Sequence, residues 1–237
     1  MSIARSEPVF SGGGRSRALE VRRSPRAKRM RLLVDPRDGG VRLTLPARAP
    51  LGPALVWAES KRGWIEATLA ALPVRSPLAP GASIPFGGRE LVITWAADAG
   101  RAIRVVEGGL LLGGPSEHCA ARILRWLRAQ ALETLTEETY AVARRAGIAI
   151  GRVAVGDPRG RWGSCSAGGD IRYSWRLVMA PPEVARAVVA HEVAHRLHMH
   201  HGAAFHRAVA ELLGHAPDSE QAWLKAHGAS LHAVGRD

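Results

Sequence analysis

Six of the chain's ten histidines fall within sixteen residues, in the segment AVVAHEVAHRLHMHHGAAFH: His191, His195, His198, His200, His201 and His206. Uniform scatter would put fewer than one there, so the cluster calls for a chemical reason. His191-Glu192-Val193-Ala194-His195 sets two imidazoles four residues apart. On a helix they lie one above the other on the same face, where both can reach one zinc ion. Glu192 lies about 100° around from His191, able to reach a water on the metal without being a ligand itself. Zinc lowers the pKa of that water and the carboxylate takes its proton, which is the chemistry of amide hydrolysis at neutral pH. The flanking Val188, Val189, Val193, Ala194 and Leu197 are apolar, as a buried active-site helix requires, and Pro181-Pro182 with Glu183 make a good helix start.

The third ligand must come from elsewhere. His198 shares a face with His191 and His195 but lies roughly 10 Å along the helix axis from His191. Three imidazoles spread that far converge poorly on an ion whose ligands sit about 2.0–2.1 Å away. Gly202 marks a helix end, and His201 just before it can swing back to the metal. His201 is therefore the expected third ligand, with Glu211 or Glu220 on the following helices as the other option and a fourth position left to water. Upstream, RWGSCSAGGDIRYSW reads as a hairpin turning on Gly168-Gly169. Its strand edge is a candidate to hold a substrate main chain. Arg161 or Tyr173 on it is a candidate to stabilise a developing oxyanion. Trp162 and Trp175 flank the hairpin as candidates to line a cleft, whereas Trp57, Trp64, Trp126 and Trp223 sit in helical patterns as core.

Other segments must position these residues. Residues 1–16 read as a flexible tail. ALEVRR, RMRLLVD and VRLTLP read as short strands, followed by a helix over 53–72 and a Pro-rich stretch to Pro80. Residues 83–112 read as a β-meander, 116–147 as a long helix, and 182–232 as a helical set broken near Gly202 and Pro217. No internal repeat is visible. The expected fold class is α+β: a β-rich N-terminal region over 17–115 and a compact catalytic region over 116–237, both parts of one family-length domain.

Taken together, these motifs resemble the YgjP-like metallopeptidase family. That family pairs an Arg-Trp-Gly-Ser-Cys hairpin (here Arg161 to Cys165) with a His-Glu-x-x-His helix (His191 to His195). A third His follows in a short His-Ser/Gly-x-x-Phe segment, here His201-Gly202-Ala203-Ala204-Phe205, which also resembles SprT-like zinc proteases. RRSPRAKRMRLLVD, VRLTLP, WAESKRGWI and IPFGGRELVI fall in the family's order, so the resemblance runs from about residue 17. It implies a gluzincin-like zinc peptidase core with one zinc per chain, His191, His195 and His201 as ligands, and Glu192 as the catalytic residue. One departure stands out: the family often has Trp after the Phe, whereas here His206 follows.

Composition narrows the alternatives. With 237 residues, 46% hydrophobic and 23% charged, the chain has the balance of a globular protein. Two cysteines exclude a disulfide scaffold, and no apolar run is long enough for a membrane span. The N-terminus lacks the hydrophobic core of a secretion signal, so a cytoplasmic location is expected. The net charge of +12 and the cluster RRSPRAKRMR at 22–31 leave nucleic acid open as a partner, although no nucleic-acid motif is present. The leading expectation is a zinc-dependent peptidase acting on peptides or proteins. A nucleic-acid-associated protease of SprT-like type and a non-catalytic zinc-stabilised module are the alternatives.

Overall fold

The structure, a computed structural model, describes residues 8–36, 38–158 and 160–235. Its class is α+β, and the chain divides into two compact units that meet in sequence at Val74 and Arg75.

The first unit starts with a four-stranded sheet. β1 (Val9–Gly12) and β2 (Arg15–Ser24) form an antiparallel hairpin whose turn is Gly13-Gly14. Both glycines have positive φ (56° and 72°), the left-handed pair that a tight hairpin turn demands. The expected tail over 1–16 is thus strand from Val9 onward, and residues 1–7 lie outside the described residues. β3 (Arg31–Val34) and β4 (Val41–Pro46) form a second hairpin, laid so that β4 runs parallel to β2 and the order is β1-β2-β4-β3. In β4, Val41, Leu43 and Leu45 are fully buried while Arg42 and Thr44 point outward, the alternation of a half-buried strand. The single helix expected over 53–72 is two helices, α1 (Leu51–Glu59) and α2 (Arg62–Ala70), broken at Ser60-Lys61. Phe10, Leu19, Leu43, Leu45, Ile65 and Leu69 make the core of this unit. Trp64, expected in a core, is 51% exposed.

The second unit starts with a sheet of the same order. β5 (Ser83–Phe86) and β6 (Arg89–Trp95) form a hairpin on Gly87-Gly88, again with both φ positive. β7 (Arg104–Val106) and β8 (Gly109–Leu112) form the next hairpin, and β8 lies parallel to β6 in the order β5-β6-β8-β7. This is not the meander expected over 83–112, because a meander has only antiparallel neighbours. It is a topological repeat of the first sheet that the sequence does not announce. The expected boundary near 115 is displaced for a related reason. Ile84, Ile93, Leu110 and Leu112 share one apolar core with the long helix α3 (Cys119–Arg145) and with the residues behind the histidine helix.

A third sheet, in the order β10-β11-β9, carries the hairpin. β9 (Val153–Gly156) runs parallel to β11 (Ile171–Ser174), and β10 (Gly163–Cys165) pairs antiparallel to β11 as the edge strand. Three helices follow: α4 (Pro182–Ala194), α5 (Ala203–Leu213) and α6 (Asp218–Ala233). Arg176, 2% exposed, ties the start of this half to its end. Its guanidinium is paired with Asp157 and donates to the carbonyls of Leu231 and Val234.

Candidate active site

The helix that bears the first two histidines ends where the site begins. His191 and Glu192 lie in the last turn of α4, and His195 is the residue just past its end. Tight bonds from Arg196 N to Val193 O and from Leu197 N to Ala194 O close the helix. Arg196 then anchors that end by donating to the carbonyls of Ala149 and Ala167. The chain turns through 198–202, and Gly202 becomes the residue that starts α5 rather than the end of a helix running up to it. That turn brings His201 back over His191.

One candidate ligand atom from each of His191, His195 and His201 lies within 4.8 Å of the others. His191 Nε2 and His201 Nε2 are 3.2 Å apart. Two nitrogens on a tetrahedral ion, each about 2.0–2.1 Å from it, would be about 3.3 Å apart, so the spacing fits a shared metal. His195 Nδ1 donates to the carbonyl of His198 at 3.1 Å, which leaves Nε2 with a free lone pair to ligate. His198 therefore contributes its backbone, not its ring. All three imidazoles pack against the buried ring of Phe205, with centroids 4.6–4.8 Å away. Burial, together with the neighbouring His195, His201 and His206, lowers the His191 pKa to about 4. Burial likewise lowers that of His195, against its bond to the His198 carbonyl. Both rings are therefore neutral near pH 7, the state a metal requires. Glu211 is exposed and stands outside this group. Glu220 is buried at 6% exposure and accepts from Ser219 Oγ, also outside it.

Glu192 is 4% exposed, and its Oε2 has no hydrogen-bond partner. A buried, unpaired carboxylate oxygen is costly and calls for an explanation. Burial raises its pKa to about 7, and the charge of Arg161 opposes the rise. A cation seated among the imidazoles would draw it back down. Its side chain has room only because residue 163 is glycine: a Cβ there would stand 2.5 Å from Oε1 and 2.6 Å from Cγ. These groups open onto a cleft of about 640 Å³. One wall is Arg161 to Cys165, which includes the edge strand β10; another is the start of α6 at Pro217, Glu220, Gln221 and Leu224. Trp162 closes one end, stacked on His232 at 5.2 Å and fitted against Gly228, where a Cβ would come within 2.8 Å of its ring.

The candidates for oxyanion contact part company. Arg161 is exposed on the cleft and makes no ion pair with a described residue. Tyr173 is the correction: it is fully buried, and its hydroxyl lies 2.9 Å from Thr139 Oγ1, which itself donates to Leu135 O. Tyr173 thus donates into the core. Its position on β11, one strand behind the edge, turns its alternate face inward. Trp175, 1% exposed, is likewise core and lines no cleft. Sequence reasoning missed Gly163, Trp162's partner Gly228, and the α6 wall. A glycine inside a strand was the one available signal, since it marks close approach by another group.

Comparison with curated proteins and with solved structures finds no match. A family match is clear: the family described as YgjP-like metallopeptidase domain covers residues 28–227, from the basic segment before β3 through most of α6. Metallopeptidase chemistry needs a metal, and the three converging imidazoles of this chain can hold one. The chain belongs to the YgjP-like metallopeptidase family.

Proposed function

We propose that this protein is a zinc-dependent peptidase in which His191, His195 and His201 hold the ion and Glu192 is the general base. The observation that carries the proposal is the pairing of three converging imidazoles with a buried, unpartnered carboxylate on the same cleft. Three imidazole nitrogens that converge beside an open cleft suit catalytic zinc. A bound zinc ion supplies Lewis acidity toward a carbonyl oxygen and toward water.

The chain's own groups do the rest. The exposed edge of β10 pairs with an extended peptide main chain and lays its scissile bond across the cleft. Glu192 takes a proton from the attacking water at its free oxygen and passes it to the leaving amine. Arg161, at the cleft and near Glu192, is placed to stabilise charge developing on the carbonyl oxygen.

The test is zinc per chain in native, untagged protein, together with hydrolysis of a fluorescent casein by wild type and Glu192→Gln. One equivalent of zinc in both, with hydrolysis reduced on the order of 10²–10⁴-fold in the variant, is expected. Zinc retained and hydrolysis unchanged would remove Glu192 from the chemistry. No zinc after incubation with the ion would remove the metal reading.

A further inference from the structure

We infer that the first unit is a docking surface for double-stranded nucleic acid, held through phosphates at one end of its sheet. The charge of the chain is unevenly divided. Residues 1–74 hold fourteen Lys+Arg against six Asp+Glu, a net +8 of the chain's +12 in under a third of its length. Moreover, every described acid in this unit is already engaged. Arg42 takes Glu20, Asp35 and Asp38, and Arg62 takes Glu59 and Glu66. Among the described residues, two arginines thus engage all five acidic side chains of this unit.

Those cations gather at one place. Strand register sets Ser24, the last residue of β2, against Pro46, the last of β4, and Arg31, the first of β3, against Thr44. The connection 25–30 therefore crosses the end of β4, and the loop after Pro46 leaves from the same end. Arg23, next to the end of β2, ties the loop after Pro46 to that strand by donating to the carbonyls of Ala47 and Ala49. Arg22, Arg26, Lys28, Arg29, Arg31 and Arg48 are exposed around this end and form no ion pair with a described residue.

The chemistry selects the partner. Guanidinium groups match phosphate oxygens two at a time, and several on one surface match a repeating phosphate backbone. Residues 22–31 contain no aromatic side chain on which an unpaired base could stack, so a duplex read by its backbone fits better than a single strand. A membrane surface fits less well, since an interfacial anchor needs an apolar face and Met30 is the one large apolar side chain exposed on the loop. The inference does not depend on the peptidase reading, because the histidines and Glu192 belong to the second unit.

The experiment measures affinity of the full chain for a fluorescent 20-base-pair DNA duplex of arbitrary sequence between 50 and 200 mM NaCl. Contact with four or five phosphates predicts a log–log salt slope of about −4, a loss on the order of 200-fold over that range. Replacing Arg26, Lys28, Arg29 and Arg31 together by Ser should flatten the slope to about −1 or less. The bound metal and the thermal midpoint should stay as in wild type, which shows the fold intact. Replacing Arg125 and Arg128, exposed on α3 of the second unit, by Ser should leave the slope as it was. A wild-type slope shallower than −1 overturns the inference. So does an equal loss of slope in the second-unit variant, or binding to vesicles rich in phosphatidylserine with none to the duplex.

Discussion

Gly163→Ala separates the fold of the site from its chemistry. The glycine adopts a backbone conformation open to alanine, since its φ is not positive, and it pairs with Tyr173 across the hairpin. The added methyl would lie 2.5 Å from Glu192 Oε1, 2.6 Å from Cγ and 2.7 Å from Cδ, against ordinary contact from about 3.4 Å upward. The clash is with the end of a flexible side chain that borders an open cleft, not with backbone. Glu192 can therefore yield by about 1 Å into the cleft, and the cost to stability stays at the low end of the range of about 1–3 kcal/mol typical of overpacking. The cost to catalysis is larger. A reacting group misplaced by about 1 Å loses on the order of 100-fold in rate, or about 2.7 kcal/mol of barrier. Metal occupancy should not change, because the three atoms nearest the added methyl all belong to Glu192 and none to an imidazole. The assay is kcat/KM on fluorescent casein alongside metal analysis and thermal unfolding. Wild-type activity in Gly163→Ala would refute the claim that this glycine seats the carboxylate. Loss of metal with activity would refute the separation of the base from the ligand set.

Other perturbations test single contacts. His201→Ala should leave less than one tenth of an equivalent of metal after dialysis, while Glu211→Ala and Glu220→Gln retain it; the opposite pattern would return the third ligand to a carboxylate. Phe205→Leu removes the ring on which all three imidazoles rest and should weaken metal binding by about 10–100-fold in a competition assay with a chelator; unchanged affinity would make Phe205 packing alone. Tyr173→Phe should cost about 1 kcal/mol through its lost bond to Thr139 and leave kcat/KM within twofold. A hundredfold loss would put the phenol back in the mechanism. Arg176→Met breaks the buried guanidinium's pair with Asp157 and removes its bonds to the carbonyls of Leu231 and Val234. Breaking such a buried pair costs about 3–5 kcal/mol, which lowers the unfolding midpoint by about 10 °C. A shift under 3 °C would show that water replaces the guanidinium.

Elements whose signals are local were legible in the sequence. The hairpin on Gly168-Gly169, the long helix through Leu127 and Leu135, and α4 with its Pro-Pro start appear near their expected places, because turn chemistry and helical periodicity are written in adjacent residues. Strand pairing was not legible. The strands over 83–112 were expected as successive neighbours, yet β8 crosses to lie against β6. Nothing in GLLLG distinguishes a strand that pairs with the one before it from one that pairs two back. For the same reason the shared order of the two four-stranded sheets went unseen, although both first hairpins turn on a Gly-Gly pair with both φ positive.

The site divides along the same line. His191 and His195 are four apart as the helix repeat requires, whereas α4 ends at Ala194, so His198 lies in the turn beyond it and meets His195 through its backbone carbonyl. His201 needed the turn after α4, and that turn depends on Arg196 reaching carbonyls at positions 149 and 167, far away in sequence. Gly163 is more remote still. Its requirement comes from a carboxylate twenty-nine residues later that must lie flat against β10. Ligand positions set by local geometry should tolerate substitution around them so long as the helix survives. The seat of the proposed base and the proposed third ligand, both set by tertiary contact, should instead be lost through changes that touch neither residue. Arg196→Ala is the sharpest case: it leaves His191 and Glu192 on an intact α4, with His195 just past its end, but frees the turn that returns His201. Metal affinity should therefore fall while the helical content seen by circular dichroism does not.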